Sequence, residues 1–228
     1  MYQTSMVLGL ALLLLSISVA NGLIKGVDSS TLVSVDTFKK AYSEGFTKSI
    51  IRGYQEACAS GGRVDPNFVA TYNNARAAGY TNIDMYWFPC TGSNNKCKSF
   101  ADQISEISST LQASSMKIGM IWVDLEKDAV CNGWNYGYAG NLTKAKELIG
   151  ATKSEFAYGI YSSRGSWAAI FGSPSVILDS NAPLWFATFD DVDNLRLGSP
   201  FGGWTTAVGH QYTDQSSSGQ FDLNVFAY

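Results

Sequence analysis

The sequence predicts one α/β domain, a closed β/α barrel of eight strands whose last helices are reduced or missing. Three observations predict it. Short β-rich apolar runs alternate five times with amphipathic stretches of helical period, and such alternation builds parallel strands with right-handed crossovers. Three more apolar runs follow with no convincing helix among them, bringing the strand count to eight, that of a closed barrel. The turn after the first strand reads GVDSST and lacks the glycine-rich phosphate loop that an open doubly wound sheet more often carries there.

The elements follow in order. LIKGVD (23–28) precedes SVDTFKKAYSEG (34–45). SIIRGYQ (49–55) precedes DPNFVATYNNARAAG (65–79), in which Phe68, Tyr72, Ala75 and Ala78 fall near one helical face. NIDMYWFP (82–89) precedes KSFADQISEISSTLQAS (98–114), with Ile104, Ile107 and Leu111 on one face. KIGMIWVDLE (117–126) precedes NLTKAKELIGATK (141–153), and FAYGIYSS (156–163) precedes RGSWAAIFG (164–172). The closing strands are PLWFATFD (183–190), AVGHQYT (207–213) and FDLNVF (221–226). Gly45, Gly79 and Gly172 stand where helix C-terminal caps belong. No linker or repeat divides the chain.

Before the first strand comes MYQTSMVLGLALLLLSISVANG. Its apolar stretch is too short to span a bilayer and suits a secretory signal, residues 1–22, cleaved after 20–22, which leaves 23–228 as the mature domain. The n-region departs from the pattern in having no Lys or Arg. A secretory route favours disulfides for the four cysteines, Cys58, Cys90, Cys97 and Cys131. With no C-x-x-C and a single histidine, zinc is disfavoured. Three pairings are open; if Cys90 and Cys97 close the polar TGSNNK loop locally, Cys58 is left for Cys131. Asn141 opens an NLT glycosylation pattern. The formal net charge of −3, with no basic stripe, argues against nucleic acid as a partner.

Catalytic groups of a β/α barrel gather at the C-terminal ends of its strands. Asp124 and Glu126, two apart in IWVDLE, share a strand face at such an end. Asp28 ends the first strand, Asp190 the sixth, and Asp222 lies in the last; Asp84 lies inside the third. Carboxyls converging on one mouth suit glycoside hydrolysis, in which one group gives a proton to the leaving oxygen while others stabilise positive charge or activate water. Their repulsion raises one another's pKa.

In ordered pieces over nearly all of the mature chain, the sequence resembles the family-25 glycoside hydrolases, the Chalaropsis-type lysozymes. GVDSS, IIRGYQ, IDMYWF, IWVDLE, PLWFATF and HQYT…FDLNVF are similar to that family's successive strands. The resemblance implies a modified (TIM-like) barrel that cleaves the β-1,4 bond between N-acetylmuramic acid and N-acetylglucosamine in peptidoglycan, with no cofactor or metal. It implies Glu126 as general acid and Asp124 as its ionised support, with Asp28 and Asp222 as the remaining acids. Tyr86, Trp185, Asp190 and Gln211 are implied as substrate contacts. Phe189 stands where the family usually has an aromatic with a hydroxyl. The cysteines and the CTGSNNKC loop look like a eukaryotic branch.

Rival readings fit less well. A chitinase-like D-x-x-D-x-D-x-E would need acids where Gly119 and Trp122 stand. His210 has no nucleophile elbow near it for a Ser-His-Asp site and reads as packing or a substrate contact. The alternative from a different class is a secreted barrel that binds wall carbohydrate without cutting it. Trp87, Trp122, Trp134, Trp185 and Trp204 suit either sugar stacking or a core. The expected protein is a monomer, secreted or in an acidic lysosomal or phagosomal lumen, with no membrane contact after signal cleavage.

Overall fold

The computed structural model describes residues 22–228. Apart from Gly22, the predicted signal segment lies outside the described residues. Nine strands among those residues form one sheet: β1 (Ile24–Ser29), β2 (Lys48–Gln55), β3 (Arg63–Val64), β4 (Asn82–Trp87), β5 (Ile121–Asp124), β6 (Tyr158–Ser162), β7 (Leu184–Ala187), β8 (Gly209–Thr213) and β9 (Asp222–Phe226). β3 is a two-residue edge paired only with β2. The other eight close into the expected barrel because β1 bonds to both β2 and β9.

Five helices lie between strands: α1 (Val35–Ser43), α2 (Phe68–Ala77), α3 (Phe100–Ala113), α4 (Gly137–Lys153) and α5 (Arg164–Phe171). Ser34, Ser99 and Ser163 cap α1, α3 and α5 by accepting backbone N–H groups. The predicted faces are the buried ones, Phe68, Tyr72 and Ala75 on α2 and Ile104, Ile107 and Leu111 on α3. None of the five helices is long and apolar enough to cross a membrane.

The described helices leave both β7–β8 and β8–β9 without a crossover helix. One strand corrects the expectation of a parallel sheet. β9 runs antiparallel to both β8 and β1, because only residues 214–221 separate it from β8, too few for the crossover of about a dozen or more that a parallel neighbour needs. The longer stretch 188–208 leaves β7 and β8 parallel. The first residue of β9, Asp222, therefore stands opposite Asp28 at the last turn of β1. The reversal delivers an acid to the rim where the parallel strands end.

The barrel interior is narrow and aromatic. Ile50, Trp122, Tyr161, Trp185 and Phe226 form an inner cluster, distinct from the larger core between the barrel wall and the helices. Two inward-facing glycines make room for it. A Cβ on Gly159 would lie 2.3 Å from Trp122, and one on Gly209 would lie 2.4 Å from Phe226. Away from the mouth, the Lys48 ammonium meets the Asp84 carboxylate at 2.7 Å with both side chains buried. Asp84 also accepts from Trp122 Nε1 and from Met120 N. This acid is committed to structure, and Gly119 has no side chain because Asp84 Oδ1 would sit 2.6 Å from it.

Two disulfides form, Cys90–Cys97 and Cys58–Cys131. The second ties the loop after β2 to the loop after β5. Asn141 is buried in α4, and its amide donates to Trp134 O and Ile170 O at 2.8 and 2.7 Å. Both amide hydrogens are used, so the folded chain does not offer Asn141 for glycosylation.

Candidate active site

The strand ends carry their side chains into one small cavity of about 120 Å³. Inward-pointing positions alternate along each strand, and those at the mouth on seven of the strands supply the lining. Asp28 comes from β1, Tyr86 from β4, Asp124 from β5, Tyr161 from β6, Trp185 from β7, Gln211 from β8 and Asp222 from β9, with Glu126 two residues past Asp124.

Gln211 organises the acids. Its Nε2 donates to Asp28 Oδ1 at 2.9 Å and to Asp222 Oδ2 at 3.2 Å, and its Oε1 accepts from Tyr161 Oη at 2.7 Å. Asn224 Nδ2 gives Asp28 Oδ1 a second donor at 2.7 Å and its Oδ1 accepts from Trp185 Nε1 at 2.8 Å. Gln211 thus acts as a bridge beneath the cavity rather than as an exposed sugar contact. Trp185 is likewise only 1% exposed, with its ring 4.4 Å from that of Tyr161.

Asp28 and Asp124 are buried, whereas Glu126 and Asp222 are half-exposed. Burial, and then the charge of Asp222, push the Asp28 carboxyl up to about 8. Burial and Asp214 push Asp222 up to about 6. Burial, and then Glu126 and Asp28, hold Asp124 well above the usual carboxylate range. Burial, and then Asp128 and Asp222, raise Glu126. Arg52, whose charge opposes the rise of Asp124, bonds to Asp65 at 2.6 Å and to Ser30 O at 2.7 Å. Burial and the neighbouring carboxylates outweigh it, so the protonated form of Asp124 is favoured relative to that of an ordinary aspartate. One of its oxygens, Oδ1, is buried with no hydrogen-bond partner.

The structure brings together seven of the eight predicted site residues and leaves out Asp190, which follows the end of β7. Asp190 accepts from Val192 N at 3.0 Å and lies 3.8 Å from His210 Nε2. His210 is packing, buried and stacked on Phe186, with its ring nitrogens facing Thr188 O and Asn194 O. Phe189 is 58% exposed and outside the cavity lining, so its missing hydroxyl removes nothing there. All five tryptophans in question are core. Tyr161 and Asn224 were not expected as site residues. Tyr161 was legible as a polar aromatic at the end of a strand, on the inward face. Among the described residues no group of three or more His, Cys, Asp or Glu is arranged to hold a metal ion.

A β/α barrel whose mouth collects four carboxyls of raised pKa around one cavity has the makings of a glycoside hydrolase. Residues 20–212 match the family model described as Lysozyme-like protein 1. The chain belongs to family 25 of the glycoside hydrolases, the lysozyme-type enzymes, and its two disulfides fit the eukaryotic branch. It is 34% identical over 194 residues to probable GH family 25 lysozyme 4 of Dictyostelium discoideum, covering 85% of this chain and 84% of that one. It is 33% identical over 213 residues to lysozyme-like protein 5 of Caenorhabditis elegans, covering 90% and 91%. The fold is shared with a family GH25 lysozyme from Aspergillus fumigatus, at a TM-score of 0.64 and 17% identity, over 91% of this chain and 95% of that one.

Proposed function

We propose that this lysozyme-type hydrolase is an N-acetylmuramidase that cuts the β-1,4 bond between N-acetylmuramic acid and N-acetylglucosamine in bacterial peptidoglycan, with Glu126 as proton donor. The observation that carries the reading is the set of four acids lining one cavity, with Arg52 engaged by Asp65. Of the Asp124–Glu126 pair, Glu126 is the one that reaches solvent, and its pKa is raised. A carboxyl that keeps its proton at mildly acidic pH can protonate the leaving glycosidic oxygen.

Asp124 faces the same cavity with an unpartnered Oδ1. The N–H of a substrate 2-acetamido group would satisfy that oxygen. Positive charge developing at the sugar ring also favours the ionised forms of Asp124 and Asp28, whose resting pKa values are raised. Asp222 and Gln211 hold Asp28 in place, and half-exposed Tyr86 forms part of the rim.

The raised carboxyls favour work at mildly acidic pH, because the donor is lost as pH rises through the raised value of Glu126. A net charge of −3 also repels anionic walls at neutral pH. Both features support action in an acidic compartment, and the signal-like segment at 1–22 supports a secretory route to it. The test is digestion of purified peptidoglycan followed by borohydride reduction. Reduced muramic acid at the new ends supports the reading. Reduced glucosamine ends overturn the bond assignment, and wall binding with no new ends identifies a carbohydrate-binding barrel instead.

A further inference from the structure

Beside the catalytic cavity lies a larger one of about 570 Å³, between the start of α5 and the β7–β8 connection. Its lining includes Arg164, Phe186, Asp190, Asn194, Arg196 and Phe201. Its volume is within the range of small-molecule sites. The same two strand ends build both cavities. β6 gives Tyr161 to the catalytic cavity and leads three residues later to Arg164; β7 gives Trp185 and leads three residues later to Thr188. Three residues of extended chain span about 10 Å.

Two of the chain's arginines line this cavity. The chain has five arginines, at positions 52, 63, 76, 164 and 196. Arg52 bonds to Asp65 and Ser30, Arg63 to Gln55, and Arg76 to Tyr80. The guanidinium groups of Arg164 and Arg196 donate no hydrogen bond and lie within 4.0 Å of no carboxylate among the described residues. Both unspent arginines face one cavity, in a chain of net charge −3. Asp190, the carboxylate of the lining, is engaged by Val192 N and lies toward His210.

We propose that this cavity is a subsite for the acidic peptide stem that peptidoglycan carries on its muramic acid, with Arg164 and Arg196 binding stem carboxylates. This rests on the muramidase reading above. The stem leaves the glycan through the lactyl group of muramic acid, so it departs from the sugar beside the scissile bond. At about 3.3–3.6 Å per extended residue, three stem residues reach about 10 Å, the span of the strand-end segments that join the two linings. Planar guanidinium groups pair with carboxylates through two parallel hydrogen bonds, while the apolar walls formed by Phe186 and Phe201 cover the peptide's methyl and methylene groups. The enzyme thereby prefers stem-bearing glycan to stripped glycan.

The test compares kcat/KM on one soluble glycan before and after enzymatic removal of its stems, for the parent and for the double variant R164A/R196A. Both side chains are exposed, so the fold should persist, and an unchanged melting curve verifies it. The parent's preference for the stem-bearing form should fall by roughly tenfold or more on losing two charge-assisted contacts. R164K/R196K should keep part of it, and added salt should reduce it in the parent alone. An unchanged preference, or an equal loss on both glycans, overturns the proposal. If the parent cleaves neither glycan, the muramidase reading is what fails. Equilibrium binding of a free stem tripeptide then decides the cavity: weaker binding by the double variant supports the subsite, and equal or absent binding overturns it.

Discussion

Replacing Asp28 with Asn should stabilise the folded chain at pH 7 and change little at pH 4. Asp28 Oδ1 receives both side-chain amide donors, from Gln211 and Asn224. An asparagine oxygen in that place keeps both. What the variant removes is the cost of ionising a buried acid. The carboxyl moves from an ordinary 3.8 to about 8 on folding, so between those values the folded state holds a proton that the unfolded state has released. Stability is therefore undiminished below the unfolded value and falls as pH rises toward the folded one. Three pH units at about 1.4 kcal/mol each give about 4 kcal/mol by pH 7. That figure is a ceiling, because the neighbouring acids redistribute protons among themselves. Denaturant unfolding of parent and D28N at pH 4, 5.5 and 7 measures it. A gain that grows with pH while wall lysis is lost matches the reasoning. A gain independent of pH, or a loss at pH 7, refutes the view that burial and repulsion set the protonation of this site.

Other outcomes follow from the same structure. Asp84→Ala leaves the buried Lys48 ammonium and Trp122 Nε1 without their carboxylate and should cost about 3–5 kcal/mol, read by denaturant midpoint; K48M/D84L should recover much of it. Removing Cys58–Cys131 by C58S/C131S, which opens a loop of sequence separation 73, should cost about 4 kcal/mol in the loop-entropy account, read by melting temperature with and without reductant. The chain recovered from a secreting eukaryotic cell should carry no glycan at Asn141, because both amide hydrogens are used; intact mass reads this directly.

Much of this fold was legible because strand–helix alternation and C-capping glycines are local signals. Gly45, Gly79 and Gly172 end helices at positive φ as their positions suggested. The direction of β9 was not legible. It depends on how short the β8–β9 connection is, and FDLNVF reads alike in either direction. The acids were legible at strand ends, where alternation fixes the face. Asp190 lines the neighbouring cavity instead of the catalytic one because β7 stops at Ala187, three residues before it, so strand alternation no longer aimed its side chain. The bridge made by Gln211 and Asn224 depends on contacts between residues 28, 211 and 224, and no local pattern encodes those. The raised pKa of Asp124 was not legible for a similar reason: it comes from burial and from Glu126 and Asp28, with Arg52 turned to Asp65, and no local pattern encodes that.

The account turns on Glu126 as the proton donor, and one comparison tests it most directly: turnover of purified peptidoglycan by E126Q against the parent, with wall binding measured on the same samples. Glutamine keeps the size and polarity of the side chain and has no proton of comparable acidity to give. The account predicts that E126Q folds and binds the wall as the parent does while releasing reducing ends at least about a hundredfold more slowly. Release by E126Q at close to the parent's rate would contradict it.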